Sequence, residues 1–263
     1  MATSDDTRKN PRHRVQSAET GAEILKALAS LGPSASLTNI AEASSMAPAK
    51  AHRYLQAMIA SGLATQEKQS GRYALGPAAV AIGLAALAQI DVVGNISDML
   101  PDLRDATGIT CFVAVWANHG PTVVRVLEMV GEVTVLTRAG ATMPLLRSAT
   151  GLTYAAHLPM PVLAPVLANE PKSLQEQFTD PASALQAELR AAREEGIVVI
   201  EGLMVPGIAA TAVPIFDAHR QIAAVVTAIG PYNRFDSKRD GPLAEQLKAF
   251  GKRASQRLGA PMF

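Results

Sequence analysis

Ala49, Lys50, Arg53 and Gln56 carry the most legible chemistry in the chain. Wound at about 3.6 residues per turn, they fall on one side of a helix. Ala51, Tyr54, Leu55, Met58 and Ile59 fall on the other, at the i, i+3, i+4 spacing of a buried stripe. Two cations, an amide and one small residue for close approach are what hydrogen-bonding to base edges in a major groove requires. Ordinary amphipathic surface helices also turn Lys, Arg and Gln outward, so this face alone leaves DNA contact and plain solvation equally open.

The neighbouring elements favour DNA contact. Thr38 is positioned to cap a short helix running through Ala43, and it is grouped with the DNA-facing positions. Ser44, Ser45 and Met46 make a turn, and a second helix starts at Ala47 and Pro48. Proline suits a first helical turn, where its missing N–H would have no partner. Gly62 ends that helix. A strand over 63–65, a polar turn over 66–71 and a returning strand over 72–76 complete a winged helix-turn-helix. Lys68 and Arg72 on the wing can reach phosphates or a minor groove. Upstream, 15–31 reads as a helix with an inner stripe of Ala18, Ala22, Leu25, Leu28 and Ala29, stopped by Gly32-Pro33.

A chain of 263 residues suits two domains. The expected divisions are a disordered tail over 1–14, the winged helix over 15–76, a linker helix over 77–91 and a second domain over 92–263. A net charge of +1 provides no global basic field, so any nucleic-acid contact must be local. One cysteine excludes a disulfide framework and fits a reducing cytoplasm. The first residues are polar and charged, unlike a signal peptide. Arg8, Lys9, Arg12 and Arg14 in the tail can brush DNA, although a solvated leader is the simpler reading. Residues 73–90 carry no charge, but Gly76-Pro77 interrupts them and alanine dominates the rest, so no membrane span is expected. A helix apolar nearly all round should instead be buried, here against a second subunit.

Beyond it, 92–107 reads as one helix bent at Pro101 and ended by Gly108. Period-two patterning then takes over, with strands at 111–117 and 122–127 flanking an Asn118-His119-Gly120-Pro121 turn, and a third at 133–137. After a loop at 140–144, Ser148 or Thr150 can cap a helix to about Leu158. A further helix over 183–195, strands at 197–200, 209–216 and 221–229, and a last helix over 243–258 follow. This is an α+β pattern: an antiparallel sheet flanked by helices. Phe112 and Trp116 share one face of their strand, Cys111 and Val113 the other, and the pattern does not say which face meets a cavity. The five histidines (His13, His52, His119, His157, His219) are scattered, and no phosphate-binding, dinucleotide or nucleophile-elbow motif occurs. Cys111 reads as a small buried hydrophobe. No catalytic residue, metal or cofactor is expected.

The winged helix, the RYALG ending of its wing, PLLRSATG (144–151) and EGLMVPGIAATAVPIFD (201–217) together resemble the IclR family of bacterial transcriptional regulators, over about 15–257. The resemblance implies a winged helix joined to a GAF-like domain that binds a small organic effector. It also implies dimers, or dimers of dimers, on palindromic double-stranded operators, with repressor and activator using the same parts. Operator positions map onto Ala49, Lys50, His52, Arg53 and Gln56. Effector positions map onto Ala149, Thr150, Ile200, Ala210, Thr227 and Ile229, with apolar walls from Val135, Met143 and Ile208. The chain departs from its relatives where it has Lys50 for a hydroxyl residue, Leu146 for a histidine, Ile200 for an acid and Ala210 for a cysteine. A pocket stripped of those polar groups is expected to take a mostly apolar or aromatic effector, with at most one anionic end received by the N–H groups of 148–150. Two rival readings are a small-molecule binding module whose winged helix makes protein contacts, and a hydrolase, which lacks a nucleophile–base pair.

Overall fold

The computed structural model describes residues 16–88, 91–129, 137–232 and 235–261, and the chain divides into two compact units, Met1–Ala88 and Gln89–Phe263. The expected tail, the expected strand over 133–136 and Val135 lie outside the described residues.

The first unit contains α1 (Gln16–Ser30), α2 (Leu37–Ala43), α3 (Pro48–Ala60), β1 (Ala64–Gln66), β2 (Tyr73–Leu75) and α4 (Pro77–Ala88). Ile24, Leu28, Ile40, Ala51, Leu55 and Tyr73 form its core. The stripe of α1 differs from expectation: Thr20, Ile24, Ala27 and Leu28 are buried, whereas Ala18, Ala22 and Ala29 are exposed. The observed face turns inward Ile24, a larger apolar side chain than any of those alanines. Thr20 tolerates its place because its hydroxyl donates to the Gln16 carbonyl at 2.8 Å. The cap of α2 is Ser36, not Thr38; its side chain accepts the Asn39 N–H, and Thr38 is the second residue of the helix, exposed. Ser45 adopts a left-handed φ of 53° to turn the chain into α3. Antiparallel β1 and β2 form the wing, and Ala35 extends it by exchanging two 2.8 Å backbone bonds with Tyr73.

The second unit opens with two helices where one bent helix is expected: α5 (Val92–Ser97), capped by Asp91, and α6 (Leu100–Thr107). Pro101 does not kink a continuous helix; it starts a new one, where its missing N–H costs nothing. Then come β3 (Thr110–Ala117), β4 (Gly120–Leu127), α7 (Ala149–His157), α8 (Met160–Leu167), α9 (Lys172–Thr179), α10 (Ala184–Glu195), β5 (Val198–Glu201), β6 (Ile208–Phe216), β7 (Ile222–Pro231) and α11 (Pro242–Arg257). The five strands form one antiparallel sheet in the order β4-β3-β7-β6-β5. Alternation along the strands sends Cys111, Val113, Val213 and Val226 into a core with Leu247 and Phe250 of α11, while Ala212 and Val225 face Tyr154 of α7 and Leu189 of α10. Phe112 and Ala114 share a third cluster with Val123 and Met143. Tyr154 ties α7 to the sheet by donating its hydroxyl to the Ala114 carbonyl at 2.9 Å, with the Trp116 ring 5.4 Å away. Among the described residues no helix is long and apolar enough to cross a membrane.

Candidate functional site

Two features stand out, one on each unit. In the first unit, α3 buries Ala51, Leu55 and Met58 and exposes Ala49, Lys50, His52, Arg53 and Gln56. Pro48 at its first turn and the αL turn at Ser45 set its start. The outward cations and amide therefore form an uninterrupted polar face. His52 is not wholly solvent-directed, because its Nδ1 lies 3.1 Å from the Tyr73 hydroxyl and links α3 to the wing. Lys68 is exposed in the wing turn. Arg72 is exposed too, but it reaches back: Nε donates to the Ser34 hydroxyl at 3.0 Å and Nη2 to the Ser34 carbonyl at 2.6 Å. A guanidinium carries five N–H donors, so Arg72 brackets the base of the wing and keeps donors for an outside acceptor.

In the second unit, the start of α7 and the strands β5, β6 and β7 enclose a cavity of about 240 Å³. Met143, Ala149, Thr150, Ile200, Ile208, Ala210, Thr227 and Ile229 all line it. Val135 lies outside the described residues. The sequence reading missed Thr137, Thr142 and the run Leu203, Met204 and Val205, and left Phe112 open; all of these line the cavity. The run sits in an irregular segment that no hydrophobic period reveals. It lies within the 201–217 segment that carries the family resemblance, between two glycines of left-handed φ, 64° at Gly202 and 81° at Gly207. Leu203, Met204 and Val205 line the cavity while about half exposed, at 51%, 46% and 50%.

No charged side chain lines the cavity among the described residues. Its polar end is built by α7. Ser148 caps the helix, accepting the Gly151 N–H at 2.9 Å and donating to the Pro144 carbonyl at 2.6 Å. Ala149 and Thr150, the first residues of α7, present the positive end of that helix to the cavity. Thr150 and Thr227 are fully buried, and their hydroxyls share one bond of 2.8 Å. Two hydroxyls carry two protons and this bond uses one, so the pair can still donate once. The floor is tightly built: a Cβ on Gly151 would come within 2.1 Å of the Pro144 carbonyl oxygen and 2.3 Å of that of Leu145.

A wider, more open groove of about 1010 Å³ lies elsewhere on this unit, bordered by His157, Arg193, Lys248 and Lys252. None of the expected effector positions reaches it, and Arg193 already donates to the Ala156 carbonyl there. Enclosure and convergent polar groups favour the smaller cavity as a ligand site. Burial pushes the Cys111 thiol up to about 12 and raises the Tyr154 phenol. Burial lowers His157, whose Nδ1 bond to the Thr153 carbonyl and nearby Arg193 act less strongly. Among the described residues, no three His, Cys, Asp or Glu side chains gather to hold a metal.

Two family models match the chain. The model of the bacterial transcriptional regulator IclR C-terminal domain matches residues 84–256, and that of the IclR helix-turn-helix domain matches residues 17–68. The crystal structure of Pseudomonas aeruginosa HmgR is 44% identical, covers 95% of this chain and 100% of its own, and superimposes with a TM-score of 0.86. The glycerol operon regulatory protein of Streptomyces griseus is 26% identical over 251 residues, 95% of this chain and 98% of its own. An IclR homologue from Microbacterium hydrocarbonoxydans, solved in complex with 4-hydroxybenzoate, shares the fold at 20% identity and a TM-score of 0.53, over 92% of this chain and 98% of its own.

Proposed function

Because the chain belongs to the IclR family of transcriptional regulators, we propose that it reads a palindromic operator with the outward face of α3. Its control signal is a small, mostly apolar or aromatic organic effector, with at most one anionic end, in the cavity of the second unit. The observation carrying this reading is the cavity itself: mostly apolar walls, no charged side chain among the described residues, and a polar end made by the start of α7 and the Thr150–Thr227 pair, with Thr137 and Thr142 also in the lining. Such a site favours a ring or short chain with a single carboxylate and penalises a second, unpaired charge. The fold of the Microbacterium homologue holds a ligand of this class. Effector and operator communicate to the extent that the effector binds one state of the regulator better than the other.

On the DNA side, Lys50, Arg53 and Gln56 read bases, Ala49 allows close approach, and Thr38, His52, Lys68 and Arg72 hold the backbone. The working form is a homodimer, or a pair of dimers, matching the two-fold symmetry of its operator. Selection of bound duplexes from a random library, followed by affinity measurement across a salt series, tests the reading. Operator affinity should fall steeply with salt, and Arg53→Ala should cost about 1–3 kcal/mol of specific binding. Unchanged operator affinity in Arg53→Ala would refute this recognition face. Calorimetric titration with aliphatic, aromatic and compact dicarboxylic acids tests the cavity, and tight binding confined to the dicarboxylates counts against it.

A further inference from the structure

Glu170 stands outside the cavity, yet it holds the segment from which the cavity's polar end is built. It follows α8, its side chain is only 6% exposed, and it is one of the few buried charged or polar residues of the unit. Its Oε1 accepts the N–H groups of Leu145 at 2.7 Å and Leu146 at 3.2 Å, and its Oε2 lies 3.4 Å from Arg147 Nε. Leu145 and Leu146 are themselves 1% and 2% exposed, so without this carboxylate two buried N–H groups would lose their acceptor. Gln175 steadies Glu170 in turn by donating to its carbonyl at 2.7 Å.

The clamped residues lie between Met143 on one side and Ser148, Ala149 and Thr150 on the other, all of which line the cavity. They are also pressed onto α7, because the Pro144 and Leu145 carbonyls fill the space beside Gly151. We propose that Glu170 is a positioning residue for effector binding: through Leu145 and Leu146 it fixes the first turn of α7 at the angle that receives the effector's polar group. The proposal rests on reading the cavity as the effector site. It explains why a carboxylate is kept in a buried place where an apolar side chain would otherwise pack: one oxygen closes two donors at once, and Arg147 balances the charge.

Hydrogen exchange and calorimetry on the full-length chain, with 4-hydroxybenzoate as probe, test it in Glu170→Ala and Glu170→Gln. In Glu170→Ala, amides over 144–152 should exchange about tenfold faster or more while β6, β7 and α11 keep their protection, and probe affinity should fall by a similar factor. Glu170→Gln keeps an oxygen that accepts both N–H groups, and it should restore exchange and affinity to within about threefold. Faster exchange spread over the whole unit in Glu170→Ala would reduce Glu170 to a general stabiliser and overturn the proposal. So would local loosening with unchanged probe affinity, or a Gln variant as impaired as the Ala variant. If the wild-type chain binds no organic acid, the effector reading fails, and the exchange pattern separately reports whether Glu170 holds this segment.

Discussion

Cys111 has no exposed surface, and burial holds its thiol protonated, up to about 12. Only the thiolate reacts appreciably with maleimide or iodoacetamide. Native protein at neutral pH should therefore label slowly, and labelling should accelerate sharply when denaturant unfolds the second unit. Gly151 makes a steric counterpart: any Cβ there meets the Pro144 and Leu145 carbonyls. Gly151→Ala should destabilise the second unit by about 1–3 kcal/mol, read from urea unfolding, and it should distort the polar end of the cavity. At this scale legibility in the sequence was uneven. The outward residues of α3 follow from helical periodicity alone. Ile200, Ala210 and Thr227 lie on three different strands, and only a family resemblance could bring them together. Glu170 gave no sign, because its backbone partners lie 24 and 25 residues away and hydrogen-bonding to main chain leaves no pattern in side-chain types.

The elements whose ends carry a strong local signal are readable: Pro48 opening α3, Ser148, one of two candidates, capping α7, and Gly108 closing α6 in left-handed conformation, whereas Ser183, read as the first helical residue, is the cap of α10. Ser36 was passed over as the cap of α2 in favour of Thr38, since both hydroxyls stand near the start of the apolar run and only backbone geometry separates them. Ser36→Ala should cost the first unit about 1 kcal/mol, measurable as a lowered unfolding midpoint, whereas Thr38→Ala should cost far less. The helices α8 and α9 were not anticipated at all. Pro165 inside α8 argues locally against a helix, and burial of Leu163 and Leu167 overrides that preference; Pro161 and Pro171 stand at helix starts, where a missing N–H costs nothing. The last turn of α7 gives a pH prediction. His157 has a folded-state pKa below its usual value, chiefly from burial, so the unfolded chain binds the proton more readily. Its contribution is complete above the unfolded value of about 6.5 and is lost as pH falls through the lower folded value. Urea midpoints between pH 7.5 and 5 should thus fall more steeply for the wild type than for His157→Gln.

At the scale of the molecule, the order of the sheet, β4-β3-β7-β6-β5, is not encoded in any local stretch. The uncharged helix α4 was expected to be covered, yet in the single chain Val80, Ile82 and Leu84 are 55%, 62% and 63% exposed. Helices apolar all round are stable in water only when something covers them. Replacing Ile82 and Leu84 with lysine should shift sedimentation toward monomer and weaken operator binding, with little change in the unfolding of either unit; a persistent dimer would move the interface elsewhere. The segment between Gly202 and Gly207 has a different consequence, one of time. On the reading of the cavity as an effector site, a guest lies against Leu203, Met204 and Val205, half-exposed side chains carried between two left-handed glycines. Its residence time should then respond to substitutions over 202–207 as well as to those at the polar end of the cavity.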